Sequence, residues 1–516
     1  MSIPTIIQGI PQSGDDIAKA TYLFDNKTLL KGQALKDNEL PIIDAALRPH
    51  YAASQIRTWI SQVKKLKKQQ SASSASILTH IEIAKKYLLN HPDDTLYARS
   101  DYHRYENGKW CIWPELEFLG DLGNLLEQLE KSDGYAFTHG QQKSIAEMVK
   151  QRVVIDDKLL DMNPTLINMK NGTFCIEQQR LLPHDPTDYI TTQLPFDYDP
   201  YAICPTWVWY LRTSLVEPGP NVFGKWDHDE KLIDFIQEAI GYSLTADMSH
   251  HKMFWCLGEG SNGKGVLFHI LQELGGSAAT AFNLDMLNQN YNTYHLAELA
   301  GKRLIYCTEV KRDFDFSGDA MLKAVTGGDN IQVRRIREQP FVLNSIGKVW
   351  ISLNDFPHVK DTSHGFWRRV SIIPFNRVFD ETEADPDLKD KLIEELPGIF
   401  NWAMAGLKRL YKDEKFTESR QVTEFTAKYK LESNTVAMFV EDECTVDPND
   451  DQCFTTIMPL YAAYKKWAND SGYKPFSRKN FKREIERLGF KEERKMNARA
   501  IMGIKEANPI YGGMNP

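Results

Sequence analysis

Eight consecutive residues combine small side chains with one lysine: Gly258, Glu259, Gly260, Ser261, Asn262, Gly263, Lys264 and Gly265. A strand-like apolar run precedes them at 253–257, and a helix-like stretch follows at 266–274. Glycines let backbone N–H groups curl around phosphate oxygens, and a helix N-terminus adds a positive dipole end. Lys264 would reach the outer phosphates. The pattern predicts ATP binding. A glycine-rich turn with a chance lysine is the less favoured alternative, because strand and helix stand on the correct sides.

One position of this loop departs from the usual phosphate-loop pattern. Gly265 stands where a serine or threonine normally helps to hold Mg²⁺. The ion would then need an additional water or another side chain. We therefore expect ATP and Mg²⁺ as cofactors, with an unidentified group completing the metal shell.

An acid follows the next apolar strand. Glu309 comes after the run 304–307 and Thr308. A carboxylate at the tip of a buried strand near a phosphate loop can orient Mg²⁺ and polarise the attacking water, so Glu309 is predicted as a catalytic and metal-binding residue. Asp313 and Asp315 lie just beyond it, and surface acids are their favoured interpretation.

Two further motifs follow. Asn354 ends the strand-like run 348–353, where an amide can sense the γ-phosphate and hold the attacking water in line. Arg368 and Arg369 come shortly afterwards. Paired arginines at this point suit an arginine finger that reaches the nucleotide of a neighbouring subunit. Which of the two would act stays open.

Between the acid and the amide lies a predicted basic hairpin. Gly327-Gly328-Asp329 predicts a tight turn, and the alternating residues after it predict a strand. Backbone phosphates of single-stranded DNA are natural partners for such a hairpin, and structural salt bridges are the alternative. The predicted DNA-binding residues here are Lys323, Arg334, Arg335 and Arg337.

The elements that must position these groups belong to the α/β class. Short apolar strands alternate with helix-like stretches in the predicted motor domain, 211–380, including an amphipathic helix at 229–245. Before it, 77–210 is predicted as a mixed α/β accessory domain, with hairpin signals at Asn107-Gly108 and Asn171-Gly172. His103 and His184 each stand alone there, which favours a structural role.

The two ends of the chain differ in charge. Residues 1–76 predict a partly helical segment that ends in a linker; its lysines at 64–68 are read as solvated, with a DNA-binding arm as the alternative. A helical connector is predicted at 381–440. The tail, 441–516, is basic, with 13 lysines and arginines against six acidic residues from Phe454 to Glu506.

This tail predicts a second DNA-binding element. A helix-like stretch at 476–488 is followed by Gly489 and a strand-like run, which is the order of a recognition helix and a wing. A helical cap with solvated lysines is the alternative. The candidate duplex-binding residues are Arg478, Lys479, Lys482 and Arg483.

Composition limits the broad class. The 516 residues carry a net charge of −8, so a uniformly basic nucleic-acid coat is excluded, although local basic patches are not. Seven scattered cysteines without metal-ligand spacing predict reduced thiols. No signal peptide or membrane span is recognisable, and a cytoplasmic protein without membrane contact is expected.

The set of motifs resembles superfamily 3 helicases, which are AAA+-related ring motors of viruses, phages and plasmids, and most of all the helicase half of phage and plasmid primases related to poxvirus primase–helicases. The segment 168–257 resembles the domain that precedes this motor, and 454–506 resembles its C-terminal winged-helix module. The motifs that show the resemblance are GEGSNGKG (258–265), GKRLIYCTE (301–309), KAVTGGDNIQVRRI (323–336), PFVLNSIGKVWISLNDFP (340–357) and GFWRRVSIIPF (365–375).

The resemblance implies an ATP-dependent DNA helicase that works as a hexamer in replication of a mobile element. A separate primase or replication initiator is a possible partner. The residues before about 80 are too few for a primase domain, so no primer synthesis is expected. Two alternatives stay open: an initiator that uses ATP only to assemble on origin DNA, and an ATPase that does not act on nucleic acid.

Overall fold

The computed structural model describes residues 78–506 apart from gaps at 134–135, 222–223, 288–293, 311–318, 337, 356–363, 381, 384, 474 and 496–497. The predicted segment 1–76 and the residues Asp313, Asp315 and Arg337 lie outside this part. The chain divides into two compact units. The first contains residues 78–91 and 116–152, and the second contains 92–115 and everything from Val153 onward.

The first unit consists of three helices, α1 (His80–Asn90), α2 (Glu115–Asp133) and α3 (His139–Val153). Thr79 begins α1 with a capping box: its hydroxyl accepts from the Glu82 N–H, and the Glu82 carboxylate accepts from the Thr79 N–H at 2.7 Å. Apolar faces of the helices are buried, and the Tyr87 hydroxyl donates to Asp121 at 2.8 Å. Residues 77–210, predicted as one accessory domain, therefore fall into two units. Helices α1 to α3 form the first unit, and the strands that neighbour them in sequence belong to the second.

The second unit begins with two antiparallel meanders. Strands β1 (Thr95–Ala98), β2 (Asp101–Glu106) and β3 (Lys109–Trp113) form one sheet in sequence order. Strands β4 (Leu166–Met169), β5 (Gly172–Cys175) and β6 (Arg180–Leu182) form the other. The hairpins predicted at Asn107-Gly108 and near Asn171-Gly172 are confirmed.

Two helices follow, α4 (Pro205–Ser214) and α5 (Glu230–Ser243). The Asp229 carboxylate begins α5 by accepting from the N–H groups of Lys231 and Leu232. The predicted helix at 229–245 is thus confirmed, and most of its residues are buried.

A five-stranded parallel sheet forms the centre of the unit. In chain order its region contains β7 (Met253–Leu257), α6 (Lys264–Gly275), β8 (Ala279–Ala281), β9 (Leu304–Cys307), α7 (Asp319–Gly327), β10 (Asn330–Val333), β11 (Phe341–Asn344), β12 (Lys348–Leu353), α8 (His364–Trp367) and β13 (Val370–Pro374). The strand order is β13-β7-β12-β9-β8, and every neighbouring pair is parallel. Strands β10 and β11 form a separate antiparallel hairpin. The α/β class is confirmed.

Strand register places the ends of the sheet. Leu257 lies beside both Leu353 and Pro374, and Cys307 lies beside Ile351. The residues that follow β7, β9 and β12 therefore meet at one edge, where ligands of parallel α/β sheets bind.

Three helices follow the sheet: α9 (Leu388–Glu394), α10 (Leu396–Asp413) and α11 (Arg420–Glu432). Apolar residues of α9 and α10 share a hydrophobic core with α5, α6 and the β4–β5 meander. Tyr429 of α11 belongs to the core on the other sheet face. The segment predicted as a connector thus contributes to the cores of the sheet region.

The C-terminal region has a core of its own. Its elements are α12 (Thr435–Glu443), β14 (Cys444–Val446), β15 (Phe454–Thr455), α13 (Ile457–Asp470), α14 (Arg478–Arg487), β16 (Glu492–Lys495), β17 (Ala498–Met502) and β18 (Ile504–Glu506). Strands β15, β17 and β16 form one antiparallel sheet, and β14 pairs with β18. Val436 and Phe439 already belong to this core, so it begins before residue 441.

All seven cysteines are free thiols. None of the helices in the described ranges is long and apolar enough to cross a membrane. Within the same ranges, no cluster of histidine, cysteine and acidic side chains has the arrangement of a metal site.

Candidate functional site

The loop 258–263 between β7 and α6 follows a backbone path that its glycines permit and that strains Ser261. Gly260, Ser261 and Gly263 have φ angles of 106°, 45° and 90°. Glycine adopts such left-handed conformations without steric cost, whereas Ser261 does not. A β-carbon at position 258 would lie 2.1 Å from the Asn262 side-chain nitrogen, so Gly258 is required by close packing.

Lys264 and Asn262 form the polar interior of the loop. The Lys264 ammonium donates to the Gly258 carbonyl at 2.5 Å and to the Asn262 side-chain oxygen at 3.3 Å. Burial lowers the pKa of Lys264. The Asn262 side-chain nitrogen is buried without a hydrogen-bond acceptor. A mobile cation and an unsatisfied donor inside one glycine-rich loop fit the oxygens of a triphosphate.

The beginning of α6 is held mostly by the loop itself. Its N-cap, Gly263, provides no side-chain hydrogen bond, whereas the Lys264 N–H donates to the Asn262 side-chain oxygen at 3.3 Å and the Val266 N–H donates to the Gly263 carbonyl at 2.9 Å. Gly265 is exposed, and a β-carbon built on it meets no heavy atom within 4 Å. Position 265 would therefore have room for a serine, whose hydroxyl could help to bind the metal ion.

Three hydrogen bonds fix the loop to the surrounding fold. The buried Tyr210 hydroxyl of α4 donates to the Gly263 carbonyl at 3.0 Å. The Phe379 N–H donates to the Ser261 carbonyl at 2.7 Å. The Gly258 N–H donates to the Leu353 carbonyl at 3.1 Å. The last bond places the start of the loop next to Asn354.

Glu309 and Asn354 line one cleft of about 670 Å³ at the same edge of the sheet. Both side chains are exposed, and Thr308 and Ser352 lie beside them. Because β12 lies between β7 and β9, the amide stands between the phosphate loop and the acid in strand order. The structure thus brings the three predicted motifs to neighbouring strand ends.

Arg368 and Arg369 lie at the opposite edge. They precede β13, whose first residue pairs with Met253, the first residue of β7. A five-residue strand separates the edges by about 16 Å. The Arg369 guanidinium donates to the Gly365 carbonyl at 2.5 Å, and burial lowers its pKa. Arg368 is exposed, and its guanidinium forms no hydrogen bond or ion pair within the described ranges. Arg368 is therefore the freer of the two.

The predicted basic hairpin is formed by β10 and β11. Arg334 is exposed at its tip, with its guanidinium over the Tyr294 ring, 4.8 Å from the centroid. Arg335 is partly buried and pairs with Asp101. Lys323, on α7, is also partly buried and does have a partner. The predicted residues are therefore not equally available to a ligand.

Side chains on α14 also differ in availability. Arg478, Lys479 and Arg483 are exposed, whereas Lys482 pairs with Glu492 at 2.8 Å. The Arg478 guanidinium contacts the Met458 sulfur at 3.1 Å. Lys479 and Arg483 are one helical turn apart and therefore share a face.

Sequence reasoning missed a second cavity beside the loop, of about 290 Å³. Ser261 and Gly263 form one wall, and α4 forms another with Trp209 and Thr213. Phe379 lies across from them. The sequence signal for this cavity is Trp209 four positions before Thr213, which is helical spacing, and the proline- and aromatic-rich composition before α4 obscures it.

A glycine-rich loop, an amide and an acid at adjacent ends of a parallel sheet are the arrangement that a phosphate-loop NTPase requires. Three family models match parts of the chain. A family described as "D5 N terminal like" matches residues 53–215, a family of unknown function (DUF5906) matches 256–369, and a "Poxvirus D5 protein-like" family matches 431–506. The matches before and after the central segment thus make the chain similar to poxvirus D5-like proteins.

Relatives with curated names include viral proteins. "Putative helicase L207/L206" of Acanthamoeba polyphaga mimivirus is 22% identical over 68% of this chain and 38% of its own length. "Putative helicase 184R" of Invertebrate iridescent virus 6 is 24% identical over 64% of this chain and 37% of its own length. The chain thus spans little more than a third of these relatives. At family level it is related to helicase-type NTPases.

Solved structures of the C-terminal region of NrS-1 are also similar. Its apo A form (305–718) matches 82% of this chain and 99% of that chain, with 13% identity and a TM-score of 0.40. A second apo A form of that region matches 68% of this chain and 75% of that chain, with a TM-score of 0.38.

Proposed function

We propose that this chain is the motor of an ATP-dependent DNA helicase of the superfamily 3, AAA+-like type. One observation carries the proposal: the Gly258 N–H donates to the Leu353 carbonyl, so the phosphate loop and Asn354 adjoin each other at the edge where Glu309 also lies. Hydrolysis needs phosphate contacts, a group that senses the γ-phosphate, and an acid for metal and water. These are the three groups brought together.

The residues fit ATP and Mg²⁺ in distinct ways. Lys264 and the buried Asn262 amide would bind phosphate oxygens, and the exposed Glu309 carboxylate would hold the ion directly or through water. Magnesium would supply charge neutralisation on the phosphates. Asn354 would orient the attacking water, and the cavity beside Trp209 would receive the nucleoside part.

The position of Arg368 favours an oligomer. An exposed arginine about 16 Å from its own phosphate loop, across the sheet, cannot act on that loop's nucleotide. It can act on a neighbouring subunit's nucleotide if copies are arranged head to tail, and such contacts close into a ring when the rotation permits. We propose six copies by family resemblance.

DNA would be bound by two elements. Arg334 at the tip of the β10–β11 hairpin would bind phosphates of a single strand. The order α12, β15, α13, α14, β16 and β17 supports a winged helix, with α14 as the recognition helix for duplex DNA. A separate primase or initiator is a further proposed partner.

The proposal is tested with forked DNA and a labelled displaced strand, with ATP present or omitted. Displacement that requires ATP and is lost in Lys264→Ala supports it. ATP hydrolysis without displacement, combined with tight origin-type duplex binding, supports the second candidate, an initiator that assembles on DNA; the exposed basic face of α14 is the observation that favours it. ATP hydrolysis that DNA does not stimulate, in a chain that does not bind DNA, rejects both the helicase and the initiator.

A further inference from the structure

The tip of the β10–β11 hairpin is bound to the turn between β1 and β2. The Arg335 guanidinium donates to the Asp101 carboxylate and, at 2.9 Å, to the Arg99 carbonyl. On the other side of the tip, the Ser100 hydroxyl donates to the Gln339 carbonyl at 3.1 Å. Three contacts therefore join the hairpin to residues more than 230 positions away.

The turn is itself firmly anchored. Arg99 is buried, and its guanidinium donates to Asp161 and to the Leu160 carbonyl, each at 2.8 Å. The Arg99 N–H donates to the Asp157 carboxylate at 2.5 Å. Asp161 in turn accepts from the Thr191 N–H at 2.7 Å. The contacts to the hairpin tip therefore start from a rigid base.

The backbone of the turn is strained. Arg99 and Ser100 have φ angles of 51° and 66°, in the left-handed region that favours glycine and asparagine. Such strain persists only where surrounding contacts impose the conformation. Here the strained conformation directs the Arg99 carbonyl and the Ser100 hydroxyl toward the hairpin, where both form hydrogen bonds.

The two arginines at the tip, Arg334 and Arg335, differ in how accessible their guanidinium groups are to DNA. Arg335 has a side chain that is 24% exposed, and it lies over the Phe341 ring, 4.9 Å from the centroid. A phosphate would have to displace the Asp101 carboxylate to reach it. Arg334 is exposed, and its partner Tyr294, whose ring lies under the guanidinium and whose hydroxyl accepts a hydrogen bond from it, carries no charge.

We propose that Asp101 and Arg335 form a tether that fixes the hairpin tip to the β1–β2 turn, so that Arg335 is a positioning residue and Arg334 contacts nucleic acid. The DNA part of this inference rests on the proposed function; the tether itself does not. A fixed tip would transmit movement of the β10–β11 hairpin to strands β1 and β2. A tip without the tether would move without displacing those strands.

The first test needs no activity. Hydrogen exchange of peptides covering 330–344 is compared in the full chain for wild type, Asp101→Asn and Arg335→Gln, with Arg334→Gln as the matched control on the same hairpin. We expect at least tenfold faster exchange in the first two variants and wild-type exchange in the control. The exchanged pair Asp101→Arg/Arg335→Asp should regain protection. Wild-type exchange in Asp101→Asn overturns the tether, and unchanged exchange of the β7 peptides excludes general unfolding as the cause.

The second test addresses the roles on DNA. Single-strand affinity is measured against salt concentration. Arg334→Gln should lower the slope by about one phosphate contact, whereas Arg335→Gln and Asp101→Asn should leave the slope unchanged but reduce strand displacement per ATP hydrolysed. A lower slope in Arg335→Gln together with tighter binding in Asp101→Asn would overturn the positioning role, because Arg335 would then be a DNA ligand masked by Asp101. Absence of single-strand binding in wild type rejects the proposed function, while the exchange result still decides the tether.

Discussion

The Lys264 ammonium lies 2.5 Å from the carbonyl oxygen of Gly258, six residues earlier in the same loop. The loop thereby satisfies, within itself, the cation that would bind a triphosphate. Burial lowers the Lys264 pKa. A phosphate would offer this ammonium a negatively charged acceptor, which binds it more strongly than a carbonyl does.

Removal of this cation should abolish catalysis without unfolding the chain. Lys264→Ala is expected to lower ATP hydrolysis at least about 100-fold, because a charge-assisted phosphate contact is lost while no core side chain is removed. Glu309→Gln should still bind nucleotide but hydrolyse it slowly. Phosphate release, binding of a fluorescent ATP analogue and thermal unfolding check this. Normal turnover in Lys264→Ala, or lost binding in Glu309→Gln, contradicts the assignment.

The two arginines before β13 should respond differently. Arg368→Ala is expected to lower hydrolysis about 10³-fold with unchanged stability, since an arginine finger contributes that much. Arg369→Ala should instead lower stability, because Arg369 donates to Gly365. Mixing Arg368→Ala and Lys264→Ala chains should restore part of the activity, and wild-type turnover per chain should rise with concentration. Full activity in a dilute monomer argues against a shared site.

Gly265 allows a gain-of-function experiment. Gly265→Ser should lower the Mg²⁺ concentration for half-maximal hydrolysis several-fold, because the hydroxyl has room and supplies an oxygen ligand. Gly263→Ser is the matched control: its φ is 90°, and a β-carbon there would lie 2.8 Å from the Ser214 hydroxyl. We expect the control to lose nucleotide binding. An unchanged Mg²⁺ titration in Gly265→Ser would show that the metal lies elsewhere.

The basic face of α14 is tested by charge. Lys479→Gln/Arg483→Gln should weaken duplex binding and lower its salt slope by about two contacts. Lys482→Gln is the control, since Lys482 pairs with Glu492. Deletion from residue 440 is less informative than these changes, because it leaves Phe439 without the core that buries it. Unchanged duplex affinity in the double variant would make the region an assembly or docking element.

His103 should make stability depend on pH. Burial, followed by the charge of Arg99, lowers its pKa to about 4. The folded chain therefore keeps His103 neutral, while the unfolded chain takes up a proton below about pH 6.5. Stability should fall as pH falls from 6.5 to 4, by at most about 3 kcal/mol from this group. Urea unfolding of wild type and His103→Gln at pH 7 and pH 5 checks this; parallel losses in both would exclude His103 as the cause.

The glycine-rich loop between a strand and a helix, the α/β class and the hairpins could be predicted because their signals are local. Glycine spacing and apolar alternation around residues 253–265 depend on neighbours in sequence. The Asp101–Arg335 pair could not be predicted, since it joins residues 234 positions apart. Nor could sequence distinguish Arg368 from Arg369, because only the fold determines which one meets the Gly365 carbonyl.

The division of the predicted accessory domain into two units also could not be predicted from local sequence. Residues 77–210 have a uniform mixed α/β composition, and nothing local marks the three boundaries at Pro92, Leu116 and Val153. The division follows from which apolar faces find each other: Phe174 of β5 packs in the core of the sheet region, whereas Phe118 of α2 packs with Tyr87 of α1.

The strained turn between β1 and β2 has a consequence for the order of folding. The neighbouring β2–β3 turn has Asn107 and Gly108 at φ angles of 51° and 81°, a pair that adopts this conformation readily. Arg99 and Ser100 have no such local preference for positive φ angles. The β1–β2 turn is therefore unfavourable until Arg99 forms its hydrogen bonds with Asp157 and Asp161. We expect the β2–β3 hairpin to form early and β1 to join it late, after the more distant contacts have closed.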